Sequence, residues 1–355
     1  MQRRTLLISA TTAFGARLAG ARRANAANPF KVGFVYVGPI GDLGWTYQHD
    51  QGRLAMQKEL GEAVSTQYVE NVGEGPDAER VIRQLVSGGN QLIYTTSFGY
   101  MNPTERVAKA SPAVEFEQAT GYKTLPNMAE YNSRFYEGRA VCGAIAGHMS
   151  KGVVGYVASF PIPEVVMGIN AFTLAARKVN PNFQTKVIWV NTWFDPGRES
   201  DAAKSLIDQG ADILAQHTDS PAVIQTAEAR GVFGFGQSSD MSRFGEKATL
   251  TSIVDNWAPY YIDRTKLAIT GKWKTDSVWW GIKEGMVQLA PWGPSVTEEA
   301  RAAAEDSKNR IAAGTLLPFA GPIKDQKGAV KVADGKAMSD DELLKMNWYV
   351  EGVQA

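Results

Sequence analysis

Short apolar runs alternate with longer segments of helical periodicity along most of this sequence, and few folds accommodate that order. The first unit lies within residues 31–52, where an apolar, β-branched run (32–37) leads into a Gly/Pro loop and a helical pattern over about 46–60. Repeated strand–helix units of this kind predict parallel sheets with helices on both faces. At 355 residues the chain is long enough for two such lobes.

The predicted units fall into two groups. Further strands are expected at 64–70, 92–96, 114–119, 153–158, 186–191, 212–216 and 232–236, and helices at 133–149, 164–179, 196–209 and 221–229. The Gly/Ala-rich helix 133–149 should pack closely against a neighbour. Gly152 opens the second group, and the cleft between two such lobes is the expected ligand site.

Aromatic side chains follow the predicted strands at the edge where open α/β sheets bind ligands. They are Trp45, Phe98, Tyr100, Trp193, Phe194 and Trp257. Rings placed in loops at this edge indicate a planar ligand, since each aromatic pair contributes roughly 0.5–1.5 kcal/mol beyond area burial. The alternative for each ring is packing against the core.

Polar side chains in the same loops are candidates for hydrogen bonds to a ligand. Asp42, Ser97, Gln216 and His217 all lie in or next to these loops. Asp42 could equally cap the following helix, with Trp45 covering the core, and His217 could be a hydrogen-bonded structural histidine. Both interpretations stay open at this point.

Composition argues against several classes of function. The first 28 residues hold five arginines and no acid, so removing them leaves 32 Lys+Arg against 37 Asp+Glu, a net charge of about −5. A nucleic-acid-binding surface would need a basic excess. The three histidines are scattered, and the sequence contains no HExxH, GxSxG or P-loop motif. We therefore expect no enzyme activity, no cofactor and no metal site.

The N-terminus predicts export. Residues 1–27 carry an Arg3-Arg4 pair, a short apolar segment and small residues at 24–26, the layout of a cleaved, Tat-like signal. The only cysteine, Cys142, lies in a predicted helix, so no intrachain disulfide is possible and no lipid-bearing cysteine stands at the cleavage site. We expect a free periplasmic protein with Cys142 packed in the core.

Six segments in order resemble one family. They are GFVYVGPIGDLGWTYQHDQGR, ENVGEGPDAERVIRQL, TTSFGYMNPTERVAK, WVNTWFDPGRESDAAKSLIDQGADI, GQSSDM and MNWYVEGV. From about residue 31 to 353 the chain resembles the basic membrane protein family, substrate-binding receptors of ABC importers whose known ligands are largely purines and purine nucleosides. The resemblance implies a type I periplasmic-binding-protein fold, with two doubly wound parallel-sheet lobes, a three-crossing hinge and a membrane permease as partner.

The resemblance also implies site residues. Trp45 and Trp193 match the two stacking aromatics of the family, Asp240 its acidic position in the second lobe, and Lys283 a lysine that approaches the ligand. A helix cap and a hinge salt bridge are the alternative roles of Asp240 and Lys283. Nucleoside-binding relatives carry Phe-Asn where this chain has Trp45-Thr46, which favours a free nucleobase such as adenine over a nucleoside.

The expected division follows from the same likeness. Residues 28–150 and about 250–275 would form lobe 1, and residues 151–249 and about 276–355 would form lobe 2. We expect a monomer that binds a purine without acting on it. A purine nucleoside receptor, or a nucleoside-processing enzyme, is the alternative.

Overall fold

The computed structural model describes residues 28–41 and 43–355. The predicted export signal (1–27) and the candidate Asp42 lie outside the described residues. The helices and strands are, in chain order, β1 (Phe30–Val35), α1 (Gly44–Leu60), β2 (Val64–Val69), α2 (Pro76–Ser87), β3 (Leu92–Thr95), α3 (Met101–Ala110), β4 (Glu115–Ala119), β5 (Met128–Ser133), α4 (Phe135–Met149), β6 (Val153–Ala158), α5 (Pro163–Val179), β7 (Gln184–Trp189), α6 (Pro196–Asp208), β8 (Ile213–His217), α7 (Ala222–Arg230), β9 (Phe233–Gly236), β10 (Thr249–Asp255), α8 (Ala258–Ile269), β11 (Ser277–Trp280), β12 (Val287–Leu289), α9 (Glu298–Ala312), β13 (Ile323–Lys324), β14 (Val330–Val332), α10 (Asp340–Leu343) and β15 (Val353–Gln354).

Two large sheets share one strand order. The first is β2-β1-β3-β4-β5-β11, with every neighbouring pair parallel. The second is β12-β10-β9-β8-β6-β7-β15, in which only β10 and β12 are antiparallel. In each sheet the second strand lies on one side of the first (β1 or β6) and the later strands are added on the other side. A ligand cleft forms at such a switch point in the strand order. Both lobes therefore direct a binding edge at the cleft.

Local sequence explains the helices that cover the sheets. In α2, Pro76 occupies the first turn, and Val81, Ile82 and Leu85 make one buried face. Helix α4 packs against α5, as its small residues predict: a Cβ at Gly143 would lie 2.2 Å from the backbone oxygen of Phe172. Cys142 is a free thiol buried in the same cluster.

The chain crosses between the lobes three times. It passes from β5 to α4, from β10 to α8, and from β11 to β12, and each crossing leaves one sheet and joins the packing of the other lobe. Helix α8 packs on α1 of the first lobe, where Gly52 allows the approach: a Cβ there would lie 2.9 Å from the Trp257 side chain.

The lobe boundaries differ from those that the sequence predicts. Helix α4, expected in lobe 1, packs with α5 and α9 in lobe 2; β10, expected in lobe 1, pairs with β9 in the second sheet; and β11, expected in lobe 2, pairs with β5. An apolar pattern predicts a strand but not the sheet that it joins. Strand β5 was missed because its sequence, MAEYNS, is half polar.

Among residues 28–41 and 43–355, no helix is both long and apolar enough to cross a bilayer.

Candidate ligand-binding cleft

A small cavity lies between the carboxyl edges of the two sheets. Each of its walls follows a strand: Val37 and Trp45 follow β1, Ser97 and Phe98 follow β3, and Thr120 follows β4. The second lobe adds Glu164, Trp193, His217, Asp219 and Gln237. Ligand pockets of this kind are concave, with aromatic walls and a few polar groups.

The Trp45 indole is fixed from two sides. Its Nε1 donates to the backbone oxygen of Thr96 at 2.7 Å, and its ring meets Trp257 edge-on, with centroids 5.2 Å apart. Trp257 is itself stacked on His49, with centroids 4.4 Å apart and the ring planes 11° from parallel. The wall that the first lobe offers to a ligand is therefore held in place by protein contacts alone.

Trp193 provides the facing aromatic wall from the second lobe. It packs beside Phe160, with ring centroids 5.1 Å apart, and its Nε1 donates across the cleft to Glu74 Oε1 at 3.3 Å. The same carboxylate oxygen accepts from Ser97 Oγ at 2.6 Å. Glu74 thus connects a cavity residue of each lobe.

Further contacts join the lobes at the start of α1. Gly44 N donates to Ser239 Oγ at 2.6 Å, and Trp45 N donates to Asp219 Oδ1 at 3.4 Å. A Cβ on Gly44, whose φ is +80°, would lie only 2.4 Å from the backbone oxygen of Asp219. This approach requires glycine, and it places the structure in a closed arrangement.

Three ionisable groups on the cavity wall have shifted pKa values. Burial and the Asp255 carboxylate raise the pKa of Glu164 to about 8. Burial and the nearby Glu199 hold the pKa of Asp219 well above its usual range. Burial, with the Arg139 guanidinium, lowers the pKa of His217, so that this ring is neutral at pH 7.

Beside the cavity wall, unpartnered polar atoms collect around Arg139. Its Nη2 donates to Gln216 O and Gln237 Oε1, while Nε and Nη1 have no partner among the described residues. The same holds for His217 Nδ1. Buried polar atoms are costly unless they are hydrogen-bonded, so this group is suited to polar contact with a guest molecule.

The cavity brings together five of the residues that the sequence proposes, namely Trp45, Ser97, Phe98, Trp193 and His217. Three others support this wall from behind. Thr46 Oγ1 accepts from Gly38 N at 3.1 Å, Gln216 Nε2 donates to the backbone of the loop that holds Asp219, and Trp257 buttresses Trp45.

Two proposed residues lie elsewhere. Asp240 is exposed, and its Oδ1 accepts from Ser242 N at 3.0 Å. This is a local turn bond and not the expected helix cap, because Met241 holds the N-cap position of the short helix that follows. Lys283 is exposed in the third crossing and lines a different cavity with Glu137 and Arg134. Neither side chain lines the cleft, so we leave both out of the site that we propose.

Sequence reasoning missed Glu164, Asp219, Gln237 and Glu74. All four lie in or just after the loops that follow strands, the position that identified Trp45 and Trp193. Glu164 was assigned only as the start of a helix, and it also lies in the first turn of α5. Applying the strand-end rule to carboxylates as well as to aromatic rings would have selected Glu74, Glu164 and Asp219.

Comparison with known proteins gives the family. Residues 30–317 match the family model Bmp, described as "ABC transporter substrate-binding protein PnrA-like". A purine-binding protein of Brucella abortus is 55% identical over 348 residues, covering 98% of both chains. A protein of Haloferax volcanii named as a putative ABC transporter glucose-binding protein is 39% identical, over 90% of this chain and 79% of its own.

Solved structures agree on the architecture. The crystal structure of an ABC transporter solute-binding protein from Aeropyrum pernix K1 superposes with a TM-score of 0.72 over 83% of this chain and 94% of its own, at 20% identity. That likeness concerns the fold, and it confirms the periplasmic-binding-protein class expected from the sequence. Together with the family model and the 55% identical relative, it leads to one conclusion: the chain belongs to the Bmp family of PnrA-like substrate-binding proteins of ABC transporters.

Proposed function

We propose that this protein captures a purine between its two lobes and presents the closed form to an ABC permease. The observation that carries the proposal is that aromatic side chains of both lobes, Trp45 and Phe98 on one side and Trp193 on the other, line a single cavity. A planar heterocycle is the ligand that such walls suit, because offset stacking adds to area burial on both of its faces. The purine-binding relative at 55% identity supports the same ligand class.

Within that class we propose a free nucleobase such as adenine. Thr46 is buried and its Oγ1 already accepts from Gly38 N, so this short side chain is less able to reach the hydroxyls of a ribose than the longer Asn of nucleoside-binding relatives. The bulky Trp45 indole also takes space that a smaller ring would leave to a sugar. A purine nucleoside is the alternative ligand, and tight binding of adenosine without binding of adenine would decide for it.

We further propose that the chain is exported and acts as a monomeric, lipid-free periplasmic receptor. Residues 1–27 have the layout of a cleaved signal, and Cys142, buried in the core, is the only cysteine. The intact mass of the protein recovered from the periplasm tests both signal cleavage and the absence of a lipid. A mass remaining at the full-length value would refute it.

The ligand is tested by denaturing the purified mature protein and identifying released small molecules by mass spectrometry. Calorimetry with adenine, hypoxanthine, adenosine and glucose then ranks the candidates, with glucose included because one relative carries that name. We expect a purine base at about one per chain. Incubation with adenosine or inosine should give no product, and turnover would support an enzyme instead.

A further inference from the structure

Glu164 occupies a place in the cleft that the aromatic walls do not explain. It lies in the first turn of α5, directly after the β6 loop, and lines the same cavity as Trp45, His217 and Asp219. No described residue donates a hydrogen bond to the Glu164 carboxyl, whereas Asp219 accepts one from Trp45 N. The carboxyl is thus available to a guest molecule.

The surroundings of Glu164 disfavour a negative charge. The titratable and charged groups that face it from other elements are Asp255 of β10, Arg139 of α4, Tyr156 of β6, and His217 and Asp219 at the end of β8. If Glu164, Asp219 and Asp255 were all ionised, three carboxylates would share one guanidinium.

Burial and the Asp255 carboxylate together raise the pKa of Glu164 to about 8, while Arg139 opposes the shift. His217 is neutral and Tyr156 keeps its proton. At pH 7 the carboxyl of Glu164 therefore carries a proton.

A protonated carboxyl group has one O–H donor and one carbonyl acceptor on the same short edge. Adenine presents the matching pair, because each of its ring nitrogen acceptors lies next to an N–H or the exocyclic amine. A carboxylate lacks the donor and would face the ring nitrogen with a second lone pair. The Glu164 carboxyl therefore complements the edge of a purine held between the indoles only when the carboxyl is protonated.

We propose that Glu164, as a neutral carboxylic acid, forms a paired hydrogen bond with a ring nitrogen and the adjacent N–H of the bound purine, and so determines specificity for the base. The proposal rests on the proposed function. It predicts a receptor whose affinity depends on a proton that the protein, and not the ligand, supplies. Sugars, which lack a ring nitrogen beside an N–H, are not recognised in this way.

The test measures the affinity of adenine by calorimetry between about pH 6 and pH 9 for the wild type, Glu164→Gln and Glu164→Ala. Wild-type affinity should be constant up to about pH 7.5 and then fall towards tenfold per pH unit as the carboxyl ionises. Glu164→Gln keeps a donor and an acceptor, so it should bind within about fivefold of the wild type at pH 7 and without that decline. Glu164→Ala should bind about 10- to 100-fold more weakly.

Matched controls separate this effect from others. Glu246→Gln neutralises an exposed acid of the same lobe and should reproduce the wild-type profile. Any pH dependence of the affinity that arises from ionisation of adenine itself appears equally in Glu164→Gln, so comparison with this variant removes it. Adenine analogues with single ring nitrogens replaced by C–H identify the edge: the analogue that lacks the contacted nitrogen should bind weakly and lose the pH dependence that the wild type shows with adenine.

Three results would overturn the proposal. Parallel pH profiles for the wild type and Glu164→Gln would show that protonation of Glu164 does not affect binding. Unchanged affinity in Glu164→Ala would show that this side chain does not contact the purine. In both cases the protein remains a purine receptor. If the wild type binds no purine at any pH, the proposed function fails and this assignment fails with it. Melting temperatures of the variants show whether any loss reflects unfolding, and Glu164→Gln, which keeps the size of the side chain, allows the test even if Glu164→Ala is unstable.

Discussion

Replacing Gly44 with alanine should block closure of the lobes. The added Cβ would lie 2.4 Å from the backbone oxygen of Asp219, about 1 Å closer than ordinary contact, and backbone on both sides leaves it no room. Separating the surfaces lengthens the hydrogen bonds from Gly44 N to Ser239 Oγ and from Trp45 N to Asp219 Oδ1. At about 1 kcal/mol each, their loss destabilises the closed form by about 2 kcal/mol and weakens binding about 30-fold.

The φ of +80° at Gly44 adds a strain that is independent of closure. Alanine in this region costs about 1 kcal/mol, which lowers the melting temperature of the free protein and leaves affinity unchanged. Gly328 provides the matched control, because its φ is +81° and no atom lies within 4 Å of a Cβ placed there. Gly328→Ala should therefore show the loss of stability alone.

Calorimetry with the ligand that the protein releases, together with thermal melts of the free proteins, separates the two effects. We expect Gly44→Ala to lose affinity and Gly328→Ala to keep it, with similar decreases in melting temperature. If Gly44→Ala binds within about threefold of the wild type, the contact between Gly44 and Asp219 is absent from the bound state and the closed arrangement does not describe it.

Other substitutions test separate parts of the structure. Trp193→Ala should weaken purine binding about 10- to 100-fold in calorimetry, and Trp193→Phe should restore most of it, because one aromatic wall is lost and then regained; equal losses would exclude stacking. Asp240→Ala, which removes an exposed side chain outside the cavity, should leave affinity unchanged. Glu117→Gln leaves the buried Arg264, 2.5 Å away, without a counter-charge and should cost about 3–5 kcal/mol in denaturant unfolding. Burial raises the pKa of Glu137 from 4.5 to about 7, so the folded state holds a proton that the unfolded chain releases and stability falls as the pH rises across this interval; Glu137→Gln should flatten that part of the stability profile.

Strand ends were the productive signal in the sequence. Trp45, Phe98 and Trp193 were selected because they follow apolar runs, and parallel strands of both lobes bring those ends to one cleft. The rule gives the edge of the sheet on which a residue lies but not the direction of its side chain. Thr46 and Gln216 lie at the correct edge, yet their side chains hydrogen-bond to nearby backbone.

Long-range pairing set the limit of prediction. The helix expected over 46–60 begins at Gly44, and its local pattern was sufficient to place it. Strand β11 pairs with β5, more than a hundred residues earlier in the chain, and β10 pairs with β9 across the connection formed by residues 237–248. A run of apolar residues encodes neither pairing. Glu164 follows a strand as the selected residues do, but the charges that set its protonation, on Asp255 and Arg139, come from distant elements that the local sequence does not reveal.

The unequal support of the two indoles has a kinetic consequence. Trp45 is tied to Thr96 and backed by Trp257 within one lobe, whereas the N–H of Trp193 reaches its acceptor, Glu74, only across the cleft. A ligand that diffuses into the open protein therefore meets one finished surface and one that is completed on closing. We expect changes around Trp45 to alter the association rate, and changes at Glu74 to shorten the lifetime of the complex that the permease receives.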